Sequence, residues 1–247
     1  MAERNILLLD NAVSPWGDYL EQFFEDTRSR IHRVHDGLQA SSVMSKIRPD
    51  IFFLDGSLVT LAFGQKLKVW RQTNPGTRLF LLSPLPPKAG KDFPSDDLFE
   101  AGIPFEAFRK KLVSRLPMPE KIRLLVVDDE REIGDMVADF LKDRTAPAFE
   151  VDYACNGAEG LEAMMRKRPD ILLLDIKMPV KDGREVYREI REKGETIPVI
   201  VFFDAISGEE IAEIRSLGGK AAVLEKCSRQ SAMPEMLELI KKTVYFG

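Results

Sequence analysis

Cysteine and histidine are both scarce, with two of each in a chain of 247 residues. Cys155 and Cys227 are too few for a disulfide framework and lack the spacing of a zinc site, so both are expected to be ordinary thiols in a reducing compartment. His32 and His35 fall on or beside one predicted strand with opposite facings, which argues against a histidine metal pair. No apolar run approaches the length of a membrane span, and the start Met1-Ala-Glu-Arg-Asn5 lacks a signal-peptide pattern, so a cytoplasmic protein without a membrane partner is expected. An excess of basic charge is missing as well. The 36 Lys+Arg and 40 Asp+Glu divide as 16 against 15 through residue 120 and 20 against 25 beyond it, and neither half offers an electrostatic footprint for nucleic acid.

What the chain does have is internal repetition. Ser45-Lys-Ile-Arg-Pro-Asp-Ile-Phe-Phe-Leu-Asp55 reads against Met165-Arg-Lys-Arg-Pro-Asp-Ile-Leu-Leu-Leu-Asp175, and Gly37 matches Gly157 at the same offset. Each half is therefore expected to be one copy of a repeated domain. The expected boundaries are 1–115, a Pro-rich linker at 116–121 around Leu116-Pro-Met-Pro119, and 122–247.

In the second half, apolar runs of strand length at 122–127, 149–154, 171–174, 197–203 and 221–224 alternate with segments of helical period at 131–143, 157–167, 183–193, 208–217 and 234–245. That alternation predicts (βα)5. Ser207-Gly-Glu-Glu210 reads as a capping box, Gly218-Gly219 as a helix end, and Pro234 as a first helical turn. Crossover helices imply a parallel sheet buried on both faces, which explains runs as uniformly apolar as Ile171 to Leu174. The first half starts alike, with strands at 6–9, 30–34, 51–54 and 79–82 and helices at 16–26 and 37–46. After Ser83 its prolines require a fourth helix shortened to about 95–101 or replaced by loop, and its last helix is cut short before Pro117.

Carboxylates cluster at strand ends. Leu124 to Val127 ends in Asp128-Asp129-Glu130, and Ile171 to Leu174 ends in Asp175, followed by the turn chemistry Ile-Lys-Met-Pro-Val-Lys-Asp182-Gly183. With the doubly wound strand order 2-1-3-4-5, strands 1 and 3 meet where the winding reverses, and Asp128, Asp129 and Asp175 converge in one crevice. Like charges that close need a positive centre, and a hard divalent ion such as Mg2+ suits the site better than a soft metal. Lys226, after the last strand, adds a point charge for a phosphate. Together these parts describe an aspartate prepared for in-line phosphorylation.

Here the residues resemble the receiver domain of two-component response regulators, strongly over 122–247 and more weakly over 4–115. The resemblance implies two flavodoxin-like (βα)5 domains. It implies Asp175 as phosphoacceptor from a histidine kinase or histidine phosphotransfer protein, and Mg2+ held by Asp129, Asp175 and the backbone carbonyl of Lys177. Asp128 becomes a supporting acid and Lys226 the phosphate's charge partner. Two departures stand out: the Thr or Ser usual after strand 4 is replaced by Phe203 or Asp204, and the aromatic usual three residues before the lysine is Val223. Ser207 is a candidate substitute for the hydroxyl, if its loop bends inward.

In the first half Asp10 matches Asp128, Asn11 replaces Asp129, Asp55 matches Asp175, Ser83 falls at the hydroxyl position, and Arg109 or Lys110 falls at the lysine. Its Met-Pro and Asp-Gly signals are absent, which makes it a pseudo-receiver serving contacts more than chemistry. The expected function is a response regulator made only of receivers, with no output domain after residue 247, an unknown downstream protein and a possible homodimer through the last helices. The competing reading is a scaffold in which neither copy is phosphorylated. A phosphoaspartate hydrolase is disfavoured because its general acid, two residues after the nucleophile, is here Lys177. A flavin-binding protein is disfavoured because no phosphate-cradling loop follows the first strand.

Overall fold

The computed structural model describes residues 3–11, 14–25, 27–83, 93–204, 208–216, 221–226 and 229–246. The chain divides into two compact units, Ala2–Leu112 and Val113–Gly247. The first contains β1 (Arg4–Leu9), α1 (Trp16–Phe24), β2 (Ser29–Val34), α2 (Gly37–Lys46), β3 (Ile51–Leu54), a 3-10 turn (Gly56–Leu58), α3 (Leu61–Thr73), β4 (Arg78–Leu81) and β5 (Asp97–Leu98), and α4 (Phe105–Arg115) begins within it. The second contains β6 (Lys121–Val127), α5 (Arg131–Leu141), β7 (Ala148–Ala154), α6 (Gly157–Arg166), β8 (Ile171–Asp175), α7 (Gly183–Glu192), β9 (Val199–Phe203), α8 (Gly208–Ser216), β10 (Ala222–Glu225) and α9 (Arg229–Phe246).

Each unit has its own five-stranded parallel sheet, in the orders β2-β1-β3-β4-β5 and β7-β6-β8-β9-β10. Read from the same end, both follow the winding 2-1-3-4-5. The flavodoxin-like α/β class expected from the sequence is therefore the class observed.

The uniform apolarity of the strands follows from burial on two faces. In the second unit Leu124, Val126, Leu173 and Ile200 pack with Ile133, Val137 and Ile240 on one side. Their strand neighbours Leu125, Val127, Leu172 and Val201 pack with Val186, Ile190 and Ile214 on the other. The first unit fills one of its faces with rings instead: Phe53, Phe80, Phe99 and Phe108 form a chain with successive centroids 5.5, 5.7 and 4.9 Å apart.

Three details refine or depart from the sequence expectation. No helix covers 95–101, because Asp96 hydrogen-bonds to Leu79 through both its backbone and its carboxylate and draws Asp97–Leu98 to the sheet edge as β5. Helix α3 is the third helix that the (βα)5 expectation implied without giving its bounds; Thr60 caps it by accepting from the Phe63 amide at 3.2 Å, and Phe63, Gly64 and Leu67 form its buried face. Pro234 lies inside α9 and not in its first turn, since Ala232 and Met233 already belong to the buried stripe of Met236 and Ile240. Ser207, Gly218, Gly219, Cys227 and most of the proline-rich segment lie outside the described residues. Among the described residues no helix is long and apolar enough to cross a membrane.

Candidate functional site

The second unit gathers four charged side chains at the C-terminal ends of its strands. Asp128 directly follows β6, Asp175 ends β8, and Lys226 directly follows β10. Because β6 pairs with β7 on one side and β8 on the other, Asp128 and Asp175 stand at the reversal of winding. One ligand oxygen from each of Asp128, Asp129 and Asp175 lies within 4.8 Å of the others. The Lys226 Nζ sits 2.9 Å from Asp128 Oδ2 and 3.2 Å from Asp175 Oδ1. Asp128, Asp175 and Lys226 are buried, while Asp129 is exposed.

The backbone explains this placement. Asp128 Oδ1 accepts from the Glu130 amide at 3.0 Å, which turns the chain at the strand end. Beyond Asp175 the loop folds back so closely that a Cβ on Gly183 would stand 2.0 Å from the Asp175 carbonyl oxygen, so only glycine fits there. Asp182 then opens α7 with a capping box completed by Glu185. The Lys226 amide donates to the Phe203 carbonyl at 2.6 Å, and its ammonium lies 5.5 Å from the Phe202 ring centroid.

The site is under-neutralised. Burial, with the charge of Asp128 adding to it, pushes the Asp175 carboxyl up to about 6 despite the opposing ammonium of Lys226. Burial likewise raises Asp128 against the pull of Lys226. At Lys226 burial acts downward, but Asp128 and Asp175 outweigh it and its pKa ends raised. Among the described residues, three carboxylates thus face one ammonium. Two buried oxygens, one exposed carboxylate and this excess of negative charge fit a hard divalent cation that keeps part of its water.

The remaining sequence candidates lie around that cluster. Lys177 is exposed on the loop two residues past Asp175. Phe203 ends β9 and is half-buried; Asp204 follows it, exposed and outside the acidic group. Pairing of Asp175 with Phe202, and of Leu54 with Leu81, gives Phe203 the place that Ser83 has in the first unit.

The first unit brings together a different set. Asp10, fully buried, receives two hydrogen bonds from the Arg33 guanidinium, both 2.9 Å long. That pair also holds the Arg33 pKa above its usual range, chiefly through the hydrogen bond to Asp10. His35 Nδ1 lies 2.9 Å from the Asp10 carbonyl. Asp55 Oδ1 accepts from the Ser57 amide at 2.9 Å, the Ser57 hydroxyl at 2.7 Å and the Ser83 hydroxyl at 2.6 Å. Asn11 is exposed at the end of β1.

Arg109 and Lys110 do not directly follow a strand as Lys226 does. They lie within α4, where Arg109 pairs with Glu106 at 2.9 Å. The strand at 97–98 is the counterpart of β10, so the place of the lysine is counted from it. Counting on from Leu98 opposite Leu81, Ala101 takes the place of Lys226.

Two residues of consequence were missed from the sequence, Arg33 and Tyr153. The Tyr153 hydroxyl donates to the Asp128 backbone carbonyl at 2.6 Å. Their only mark in the sequence is weak: each is a large polar-tipped residue next to last in the second strand of its copy.

Comparison with known proteins places a match over residues 124–238 to the response regulator receiver domain. Response regulator MprA of Mycobacterium leprae is 32% identical over 120 residues, which are 49% of this chain and 50% of that protein. A protein-glutamate methylesterase/protein-glutamine glutaminase of Methanosarcina acetivorans is 39% identical over 126 residues, 50% of this chain and 35% of that one. The similarity thus spans half or less of these curated relatives. Among solved structures, the response regulator domain of Thermotoga maritima CheB has 27% identity and a TM-score of 0.45, covering 51% of this chain and 98% of that one.

Proposed function

Residues 124–238 are a response regulator receiver domain of two-component signalling, and from that premise we propose that Asp175 is the phosphoacceptor of a protein that passes its signal on through contacts. The observation that carries the reading is the convergence of Asp128, Asp129 and Asp175 with Lys226 inside the matched segment. The donor proposed is a histidine kinase or a histidine phosphotransfer protein, and the working place proposed is the cytoplasm.

In the transfer, an Asp175 carboxylate oxygen attacks phosphorus in line, the N–P bond to the donor histidine breaks, and its electron pair returns to the imidazole. An acyl phosphate results. Lys226 is proposed to move its hydrogen bond from Asp175 to a phosphoryl oxygen, staying paired with Asp128. Mg2+, held by Asp129, Asp175 and the Lys177 carbonyl with Asp128 in support, would neutralise the approaching phosphoryl charge. Burial raises the Asp175 carboxyl to about 6, so at neutral pH it is already largely ionised, and added positive charge would favour that nucleophilic form and screen it from the incoming phosphoryl group.

Phe203 fills the place of the usual hydroxyl. Having no donor for the phosphate, it leaves the conformational signal to another part of the loop. The first unit, with Asp10 and Asp55 both occupied internally, is proposed to be a pseudo-receiver over 1–115, joined by a linker at 116–121 to the receiver at 122–247. The missing hydroxyl also supports the second reading, a scaffold in which neither copy is phosphorylated.

Acetyl phosphate with Mg2+ separates the two. Intact-mass measurement is expected to show one alkali-labile phosphoryl group on the wild type and on Asp55→Asn, and none on Asp175→Asn. A wild type that gains no mass would leave the scaffold reading.

A further inference from the structure

Arg33 and Tyr153 occupy the same position in the two copies. Arg33 pairs with Leu8, and the residue after it, Val34, accepts from the Asp10 amide at 3.2 Å. Tyr153 pairs with Val126, and the residue after it, Ala154, accepts from the Asp128 amide at 3.1 Å. Both side chains lean over a glycine in the first helix of their copy. A Cβ on Gly17 would lie 2.4 Å from the Arg33 guanidinium, and one on Gly134 would lie 2.4 Å from the Tyr153 ring.

From that shared perch the two side chains do opposite things. Arg33 reaches the carboxylate of Asp10 and binds it bidentately, so a cation built into the chain already neutralises the innermost acid. Tyr153 stops at the backbone carbonyl of Asp128 and leaves that carboxylate facing Lys226 and the acidic group. The peptide it grips joins Asp128 to Asp129, so its hydroxyl also orients the exposed acid of the group.

We propose that this single second-strand position decides whether each crevice takes a divalent cation: Arg33 is the resident countercation that closes the first crevice, and Tyr153 is the positioning residue that keeps the second open and its acidic loop in place. The inference rests on the reading of the second crevice as a cation site. It makes the replacement of an acid by Asn11 in the first copy secondary, because an acid restored there would still meet an Asp10 held by Arg33.

Isothermal titration of the full-length chain with MgCl2 tests this, with circular dichroism confirming that each variant is folded. Wild type is expected to take up one ion. Tyr153→Arg transplants the guanidinium above Gly134 and is expected to abolish uptake. Tyr153→Phe keeps the ring but loses the hydroxyl, and is expected to keep one ion at roughly tenfold lower affinity, the usual effect of removing an outer partner of a metal ligand. In the first copy, Asn11→Asp alone is expected to add no ion, whereas Asn11→Asp with Arg33→Tyr adds a second. The first-copy pair decides the matter even where Tyr153→Arg does not fold. Wild-type affinity in Tyr153→Arg, or a second ion already present with Asn11→Asp alone, would overturn the inference while leaving the cation reading intact. No uptake by the wild type would overturn both.

Discussion

The two crevices share a strand order and a leading aspartate, Asp10 in one and Asp128 in the other, but they balance that buried charge differently. In the first, a guanidinium and a ring of hydroxyl and amide donors satisfy Asp10 and Asp55 from within the chain. In the second, one ammonium serves two buried carboxylates while a third stands exposed beside them. A satisfied crevice is structural, because every group in it already has its partner. An unsatisfied one is held at an electrostatic cost that only an external ligand relieves, and perturbed carboxylates of that kind mark sites of chemistry. The comparison teaches that the degenerate copy differs from the other by more than lost acids. It has also gained a partner for the acid that remains.

The largest effect that would break this contrast is expected on removing that partner. Arg33→Leu leaves Asp10 buried without its bidentate partner; loss of one member of a fully buried pair costs about 3–5 kcal/mol, and the 31% exposure of the Arg33 side chain lets water soften that cost. Trp16 and Trp70 both lie in the first unit and the chain has no other tryptophan, so urea unfolding followed by indole fluorescence reports that unit. Arg33→Leu is expected to move the fluorescence transition to much lower urea, and adding Asp10→Asn to recover a good part of the loss. A midpoint that stays put in Arg33→Leu would mean that the ion pair is ornamental and that the first crevice is not balanced by it.

Much of this was legible in the sequence, and what escaped had a common cause. Apolar runs separated by helical segments gave the strands and the doubly wound order, since burial on both faces leaves little choice of residue. The gathering of Asp128, Asp129, Asp175 and Lys226 was readable too, because strand ends at a reversal of winding are fixed by topology. Arg33 and Tyr153 were not, since their importance lies in where a long side chain bends, over a glycine one helix away. The Arg109 or Lys110 assignment was made without sight of β5, whose pairing with β4 puts Ala101 at the place of Lys226. Periodicity reports which face a residue is on, but the reach of a polar tip depends on neighbours distant in sequence.

A second, intermediate effect concerns pH. The folded Asp175 carboxyl titrates near 6, above the ordinary 3.8, so between those values the folded state holds more protons than the unfolded state. Without metal, the second unit is therefore expected to lose stability as pH rises from about 4 toward 6. Glu150 acts in the opposite sense. Lys121 and Lys167 lower its carboxyl to about 2, so its contribution is complete above 4.5 and is lost as pH falls toward 2. Because the Glu150 side chain is partly exposed, salt screens that contribution. Mg2+ needs Asp175 ionised, so melting followed by circular dichroism is expected to show a clear gain with Mg2+ at pH 7.5 and little at pH 5. The fluorescence transition of the first unit is expected to ignore Mg2+ at both. An equal Mg2+ gain in that transition would erase the distinction between the crevices.

The smallest expected effect sharpens the comparison at its edge. Arg131 lies over the Tyr153 ring at 4.6 Å from its centroid while its Nε binds Asp135 at 3.0 Å, so the ring is held between a guanidinium and Gly134. About two-thirds of the Arg131 side chain is exposed. Water and salt therefore weaken both contacts, and a cation–π contact at such a site contributes about 0.5–1 kcal/mol. Arg131→Ala should cost no more than about that, read as faster amide exchange in β6 and β7, with less loss of Mg2+ affinity than Tyr153→Phe. The order matters more than the size. If the hydroxyl contact with the Asp128 carbonyl is what orients the acidic loop, removing the lid over the ring loosens the tyrosine without freeing that peptide. A larger loss of Mg2+ affinity in Arg131→Ala than in Tyr153→Phe would assign the orientation to the lid and return Tyr153 to the role of core packing.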